Sequence, residues 1–208
     1  MNAQGKRSGE TAREYAYRMI REQVISLELK PGEAFNDMEF AAKIGVSRTP
    51  VREAVIQLSE ESRIIEIFPQ RGMRIAPIDV ELVEEARSLR VLLEKQIAGM
   101  CCEMATEEDI KWLQENVGLQ EFYMENSRPE MVMQLDDEMH HKLFMICHRE
   151  LTYGMCQKLA IHYDRIRSLS VNTVKDNTII EDHRKIIQFI AEHKKENAMA
   201  QMEKHLSR

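Results

Sequence analysis

Along the chain, hydrophobic positions follow one period, then another, then the first again. Tyr15, Met19, Val24 and Leu27 recur at helical spacing and predict a first helix, which Lys30-Pro31-Gly32-Glu33 ends because proline presets a turn and glycine relieves it. Phe40, Ala41 and Ile44 mark the inner side of a short helix from about Asn36 to Lys43. Gly45-Val46 turns the chain, and Val51, Ala54, Val55 and Leu58 face inward on a third helix, Ser47 to Glu60, that Ser47 is placed to cap. After Glu61 the pattern becomes that of strands. Ile64–Phe68 and Met73–Ala76 are rich in β-branched residues, and Pro69–Gly72 reads as a hairpin tip.

Helical periodicity then returns and persists. Leu82, Ala86, Leu89, Leu93, Ile97, Met100 and Met104 step by three and four along one face, predicting a helix from about Asp79 to Met104. Thr106 with Asp109 marks a further helix start and Pro129 another, with helices expected over about 130–148, 152–172, 176–194 and 196–207. The expected fold is mainly α. Residues 1–12 form a flexible N-terminus, 13–76 have the element order of a winged helix-turn-helix, and 77–208 form an all-helical bundle of about six helices.

Composition narrows the class. The 208 residues include 43% hydrophobic and 31% charged positions, with no run of eighteen apolar residues and no basic-then-apolar leader, so a cytosolic protein without a membrane span is expected. Its four cysteines, Cys101, Cys102, Cys147 and Cys156, form no CxxC pair and read as small buried hydrophobes. The net charge of −6 argues at first against a nucleic-acid partner. Up to Ala76, however, 12 Lys and Arg stand against 11 Asp and Glu, and from Pro77 onward 17 against 24, so the acidity belongs to the helical part.

In the first part, Arg48, Thr49 and Arg52 occupy the polar side of the third helix's first turn, the end that a recognition helix points into the major groove. Arg71 and Gly72 stand at the hairpin tip, where an arginine suits the narrow minor groove and a glycine admits close backbone approach. Taken singly, each arginine is more simply a solvated face. Together they fall on the two elements that touch DNA in this architecture.

The acidic part holds all seven histidines. His141, His148, His162 and His193 read as surface or satisfied core residues. Asp136 and His140 differ, because a four-residue step stacks them on one helix face, able to reach the same ion. His183 and His205, on two later helices, would complete a set of three histidines and one carboxylate, although spacing alone does not show that those helices converge.

Pro31-Gly32-Glu33, Ile44–Ala54 and Arg71-Gly72 resemble the N-terminal domain of GntR-family transcriptional regulators. Leu135–His140, Glu181–Ile186 and Met202–Leu206 are similar to the ligand-bearing segments of the FCD effector domain that defines the FadR subfamily, and Arg90–Glu94 resembles that domain's Arg-x-x-x-Glu segment. The resemblance implies DNA contacts by Ser47, Arg48, Thr49, Arg52, Arg71 and Gly72. It implies a divalent metal, zinc, nickel, manganese or iron, on Asp136, His140, His183 and His205. A small carboxylate effector is then expected beside or on the metal, with Arg90 as an effector-binding candidate. The chain departs from the family pattern at Glu61-Ser62-Arg63, where a glycine often ends the third helix, and at Met139 and Arg149, where phenylalanine and asparagine are usual. Arg149 either adds positive charge for an anionic effector or faces solvent.

These features together predict a homodimeric, non-enzymatic transcription factor on a pseudo-palindromic double-stranded operator, and the resemblance implies a repressor, the commoner arrangement in the family. One alternative makes the metal itself the signal, or a structural clamp. A less favoured one is a metal-dependent hydrolase, whose conceivable base, Glu138, lies off the Asp136/His140 face.

Overall fold

The computed structural model describes residues 5–173 and 178–207. The first unit comprises α1 (Ala12–Ile25), β1 (Ala34–Phe35), α2 (Asp37–Ile44), α3 (Arg48–Ser62), β2 (Ile65–Phe68) and β3 (Gly72–Ile75). Local chemistry sets several of these boundaries. Thr11 and Glu14 form a reciprocal capping box at the start of α1. The Asn36 side chain accepts from the amides of Met38 and Glu39 to start α2, and Gly45 ends that helix at φ +73°. Arg63 ends α3 in the left-handed conformation at φ +55°, so a non-glycine residue adopts the backbone that glycine usually supplies.

The expected hairpin is present, with Ile65 opposite Ile75 and Phe68 opposite Gly72. A third strand, β1, pairs with the far side of β3. Two residues are too few to show a strand period, and its single inward side chain, Phe35, packs on Phe40 at 5.2 Å between ring centroids. Residues 5–10, expected to be unfixed, are tied to α1: Glu10 pairs with Arg18 at 2.8 Å, and Arg18 also donates to the Gly5 carbonyl.

The second unit contains α4 (Val80–Met104), α5 (Glu107–Glu125), α6 (Pro129–Ile146), α7 (Glu150–Thr173), α8 (Thr178–Ala191) and α9 (Lys195–Leu206). Asp79 caps α4, Thr106 and Asp109 form the capping box of α5, and Pro129 opens α6. The expected break near 172–176 falls largely outside the described residues. Ile97, Cys101, Leu113, Met139, Leu143, Phe144, Ile186 and Met202 belong to one buried core. Gly99 lets α4 and α9 approach: a Cβ there would meet Met199 Cγ at 2.9 Å. Among the described residues, no helix is long and apolar enough to cross a membrane.

Helix α7 joins the units. Ile161 is buried in the core of the first unit. His162 Nε2 lies 2.6 Å from the Ser62 carbonyl, Arg165 donates to the Ala76 carbonyl at 2.8 Å, and Lys158 pairs with Glu61 at 3.0 Å.

Candidate metal centre and DNA-contacting face

Asp136 and His140 lie one turn apart on the buried side of α6, His183 on α8 and His205 on α9. Packing of α8 and α9 supplies the convergence that spacing leaves open. One donor atom from each residue lies within 4.8 Å of all the others. His183 Nε2 stands 3.2 Å from His205 Nε2 and 3.2 Å from Asp136 Oδ1, and His140 Nε2 is 3.8 Å from the same oxygen. Donors about 2.1 Å from a common ion stand roughly 3–4 Å apart, and these three separations fall in that range. Although buried, His140 Nε2 makes no hydrogen bond among the described residues. A buried ring nitrogen without a partner is costly unless something else takes its lone pair, so the residues present fit a divalent metal.

Outer groups fix the rings. Gln120 Oε1 faces His183 Nδ1 at 2.8 Å, Glu94 Oε2 lies against His140 Nδ1, and Asp182 Oδ2 is 3.9 Å from His205 Nδ1. The close acceptors behind Nδ1 of His183 and His140 favour the tautomer whose Nε2 lone pair faces the shared space. Burial pushes the His183 and His205 imidazoles below their ordinary value, which keeps them neutral. Burial alone would raise the Asp136 carboxyl, but Arg167, followed by His140 and His183, holds it well below the usual carboxylate range.

Arg90 is buried and donates to Glu94 at 2.7 Å, with its guanidinium 5.4 Å from the centroid of the Tyr163 ring. It therefore stands directly behind the cluster, holding Glu94. Arg149 does not reach it. His148 turns the chain at φ +54° between α6 and α7, and Arg149 stands exposed, donating to the His148 carbonyl at 3.2 Å. The solvent-facing alternative is the one its position favours. The arginine that touches the cluster is Arg167 of α7, bonded to Asp136 Oδ2. Neither Arg167 nor Gln120 was expected from sequence. A signal for Gln120 was present, since Asn116 and Gln120 are polar residues four apart among the buried positions of α5. Glu138, weighed as a hydrolytic base, is exposed and accepts from Gln134 at 2.8 Å.

On the first unit, Ser47 occupies the capping position of α3 but makes no side-chain cap bond, leaving its hydroxyl exposed. Thr49 and Arg52 are exposed, and Arg52 forms no ion pair among the described residues. Arg48 is half-exposed, with Nε 2.9 Å from Oδ2 of the buried Asp37. That contact orients the guanidinium across the helix-turn-helix. Arg71 and Gly72 are exposed at the wing tip, Gly72 at φ +100°, and beside them Arg74 pairs with Glu66 and lies 5.2 Å from the centre of the Phe68 ring.

Two family models match the chain: "Bacterial regulatory proteins, gntR family" over residues 12–75 and "FCD domain" over 85–208. Among curated relatives, the HTH-type transcriptional repressor RspR of Escherichia coli (strain K12) is 30% identical over 158 residues, covering 76% of this chain and 69% of that protein. A transcriptional regulator in an unstable DNA locus of Streptomyces ambofaciens is 29% identical over 204 residues, 96% of this chain and 84% of its own. Among solved structures, E. coli McbR/YncC superposes with a TM-score of 0.78 at 18% identity, over 95% of this chain and 94% of that one. At that identity the likeness shows the fold.

Proposed function

Since the chain belongs to the gntR family of bacterial regulatory proteins and carries an FCD domain, and is thus a DNA-binding transcriptional regulator, we propose that it is a FadR-type repressor whose operator binding responds to a small organic acid at a metal site in the helical unit. The observation that carries this reading is the buried His140 Nε2, which makes no hydrogen bond among the described residues and faces three other donors. Asp136, His140, His183 and His205 would hold the metal. When bound, a divalent ion with four protein ligands offers further positions that a carboxylate can take. Imidazoles of His183 and His205 kept neutral by burial, an ionised Asp136, and acceptors behind Nδ1 of His183 and His140 are what this chain itself supplies. Arg90 and Arg167 add positive charge around the site.

Ser47, Arg48, Thr49, Arg52, Arg71 and Gly72 are the proposed DNA contacts, supported by their exposure on the first turn of α3 and the wing tip. A homodimer on a pseudo-palindromic operator follows from how a single recognition helix reads half a site. The relative named a repressor supports the direction of regulation. Effector and DNA act on each other only through their differential affinities for two arrangements of the chain.

The test is metal analysis of the full-length protein, then a thermal-shift screen of small carboxylates on metal-loaded samples, with operator binding followed on sites selected from random DNA. The expected result is one metal per chain, lost in His183→Ala, and a carboxylate that raises Tm and releases DNA. Full metal content in His183→Ala would refute the four-donor site. DNA release by metal alone would favour a metal-responsive regulator instead.

A further inference from the structure

The groups around Asp136 do not end at the helical unit. Arg167 bonds Asp136 Oδ2 with Nη2, and with Nη1 it reaches Asp137 Oδ1 at 2.9 Å and Asp164 Oδ1 at 2.8 Å. Asp164 is buried, and its second oxygen, Oδ2, lies 3.7 Å from Nη2 of Arg21 on α1. Arg21 is held in place by Gln157, whose Oε1 accepts at 2.8 Å. One guanidinium thus faces three carboxylates, and one of those carboxylates is shared with a cation of the winged helix. Lys158–Glu61, His162–Ser62 and Arg165–Ala76 also bridge the units, but among the described residues these bonds do not run to Arg167 or to the other groups bonded to the four donors.

We infer that Asp136, Arg167, Asp164 and Arg21 form a charge relay, with Arg167 and Asp164 as positioning residues, that couples the state of the four-donor site to the docking of α1 on α7. The relay rests on the metal reading proposed above. Asp136 offers one oxygen to the shared donor space and the other to Arg167, so positive charge arriving at the first weakens the hold on the second. Arg167 then leans on Asp164, which competes with Arg21 for that carboxylate. Coupling of this kind is reciprocal: what Arg21 does to the site, the site does to Arg21.

Reciprocity makes the relay measurable without an operator or an effector. The zinc affinity of metal-stripped full-length protein is read by competition with a chromophoric chelator. Arg21→Gln leaves Asp164 to Arg167 alone, draws Arg167 from Asp136 and tightens zinc by about fivefold. Asp164→Asn leaves Arg167 on Asp136 and weakens zinc by about fivefold. In the Asp164→Asn background Arg21→Gln has no further effect, Arg21→Lys keeps wild-type affinity, and Lys158→Ala stays within about twofold of wild type.

Three results would overturn the relay with the metal site intact: unchanged affinity in Arg21→Gln, additive effects in the double variant, which is the mark of a through-space field, or a Lys158→Ala increase matching that of Arg21→Gln, which is the mark of general loosening. Wild-type protein that binds no zinc stoichiometrically would instead bring down the metal reading, and the relay with it.

Discussion

Gln120 accepts a hydrogen bond from Nδ1 of His183 across 2.8 Å, and the orientation of its amide is fixed from behind. The Leu135 carbonyl takes the Asn116 amide at 3.1 Å, so Asn116 Oδ1 is left to accept from Gln120 Nε2 at 2.7 Å, and Gln120 Oε1 is left for the imidazole. The chain of donors starts at a group that can only accept, so the proton sits on Nδ1 and the Nε2 lone pair faces Asp136, His140 and His205. Gln120→Ala is therefore expected to weaken zinc binding about tenfold while stoichiometry stays at one per chain. Chelator competition checks it. Unchanged affinity would mean that the ring is oriented by packing alone.

On the proposed DNA-contacting face, the two arginines at the start of α3 should separate by their neighbours. Arg52 is exposed and forms no ion pair among the described residues, so Arg52→Ala should lower operator affinity with Tm unchanged and reduce the salt slope of binding by about one phosphate contact. Arg48→Ala should also lower affinity, and in addition should lower Tm slightly because the buried Asp37 loses its partner. Salt titrations of fluorescently labelled operator and parallel melting curves test both. An Arg52→Ala variant with wild-type affinity and salt slope would remove α3 from the interface.

The junction between the units carries a pH dependence. Burial, with a smaller push from Arg165, lowers the His162 pKa below its ordinary 6.5, against the Ser62 carbonyl and Asp79, which favour the charged form. The folded protein therefore binds this proton less readily than the unfolded chain. No stability comes from the group above pH 6.5, and stability is lost as pH falls from there toward the lower folded-state pKa. His162→Gln, which keeps a donor for the Ser62 carbonyl, should show a shallower fall in Tm between pH 7 and pH 5 than wild type. Identical slopes would place the acid sensitivity elsewhere.

How much of this was legible in the sequence depended on the range of the interaction. Asp136 and His140 share a face because four residues make about one helical turn, a local fact. The arrival of His183 and His205 is a property of how α8 and α9 pack, and spacing does not encode it, so there the family resemblance carried the expectation. The capping residues Thr106, Asn36 and Asp79 act within one turn, and of these the Thr106 start was the one visible as a motif. Strand β1 lacked the length to show a period. Arg167 was invisible for a further reason: its three carboxylates come from α6 and from α7, and a long flexible side chain leaves no periodic trace of which acid it will meet. Arg149, which the resemblance brought forward, sits after a left-handed residue that turns it to solvent.

Glycine substitutions on two helices of the bundle should have opposite signs. Gly118 on α5 is exposed, and a Cβ there would meet nothing within 4 Å, so Gly118→Ala should gain the helical preference of alanine and raise stability by up to about 1 kcal/mol. At Gly99 on α4 a Cβ would lie 2.9 Å from both Cγ and Sδ of Met199, inside any normal contact. Relief requires Met199 to change rotamer or α9 to move outward, and overpacking of this kind costs about 1–3 kcal/mol, more than the same helical preference returns. Because α9 carries His205, an outward shift would also withdraw one donor from the four. Gly99→Ala should therefore lower both Tm and zinc affinity, whereas a fall in Tm with zinc affinity intact would show that Met199 alone absorbs the added methyl.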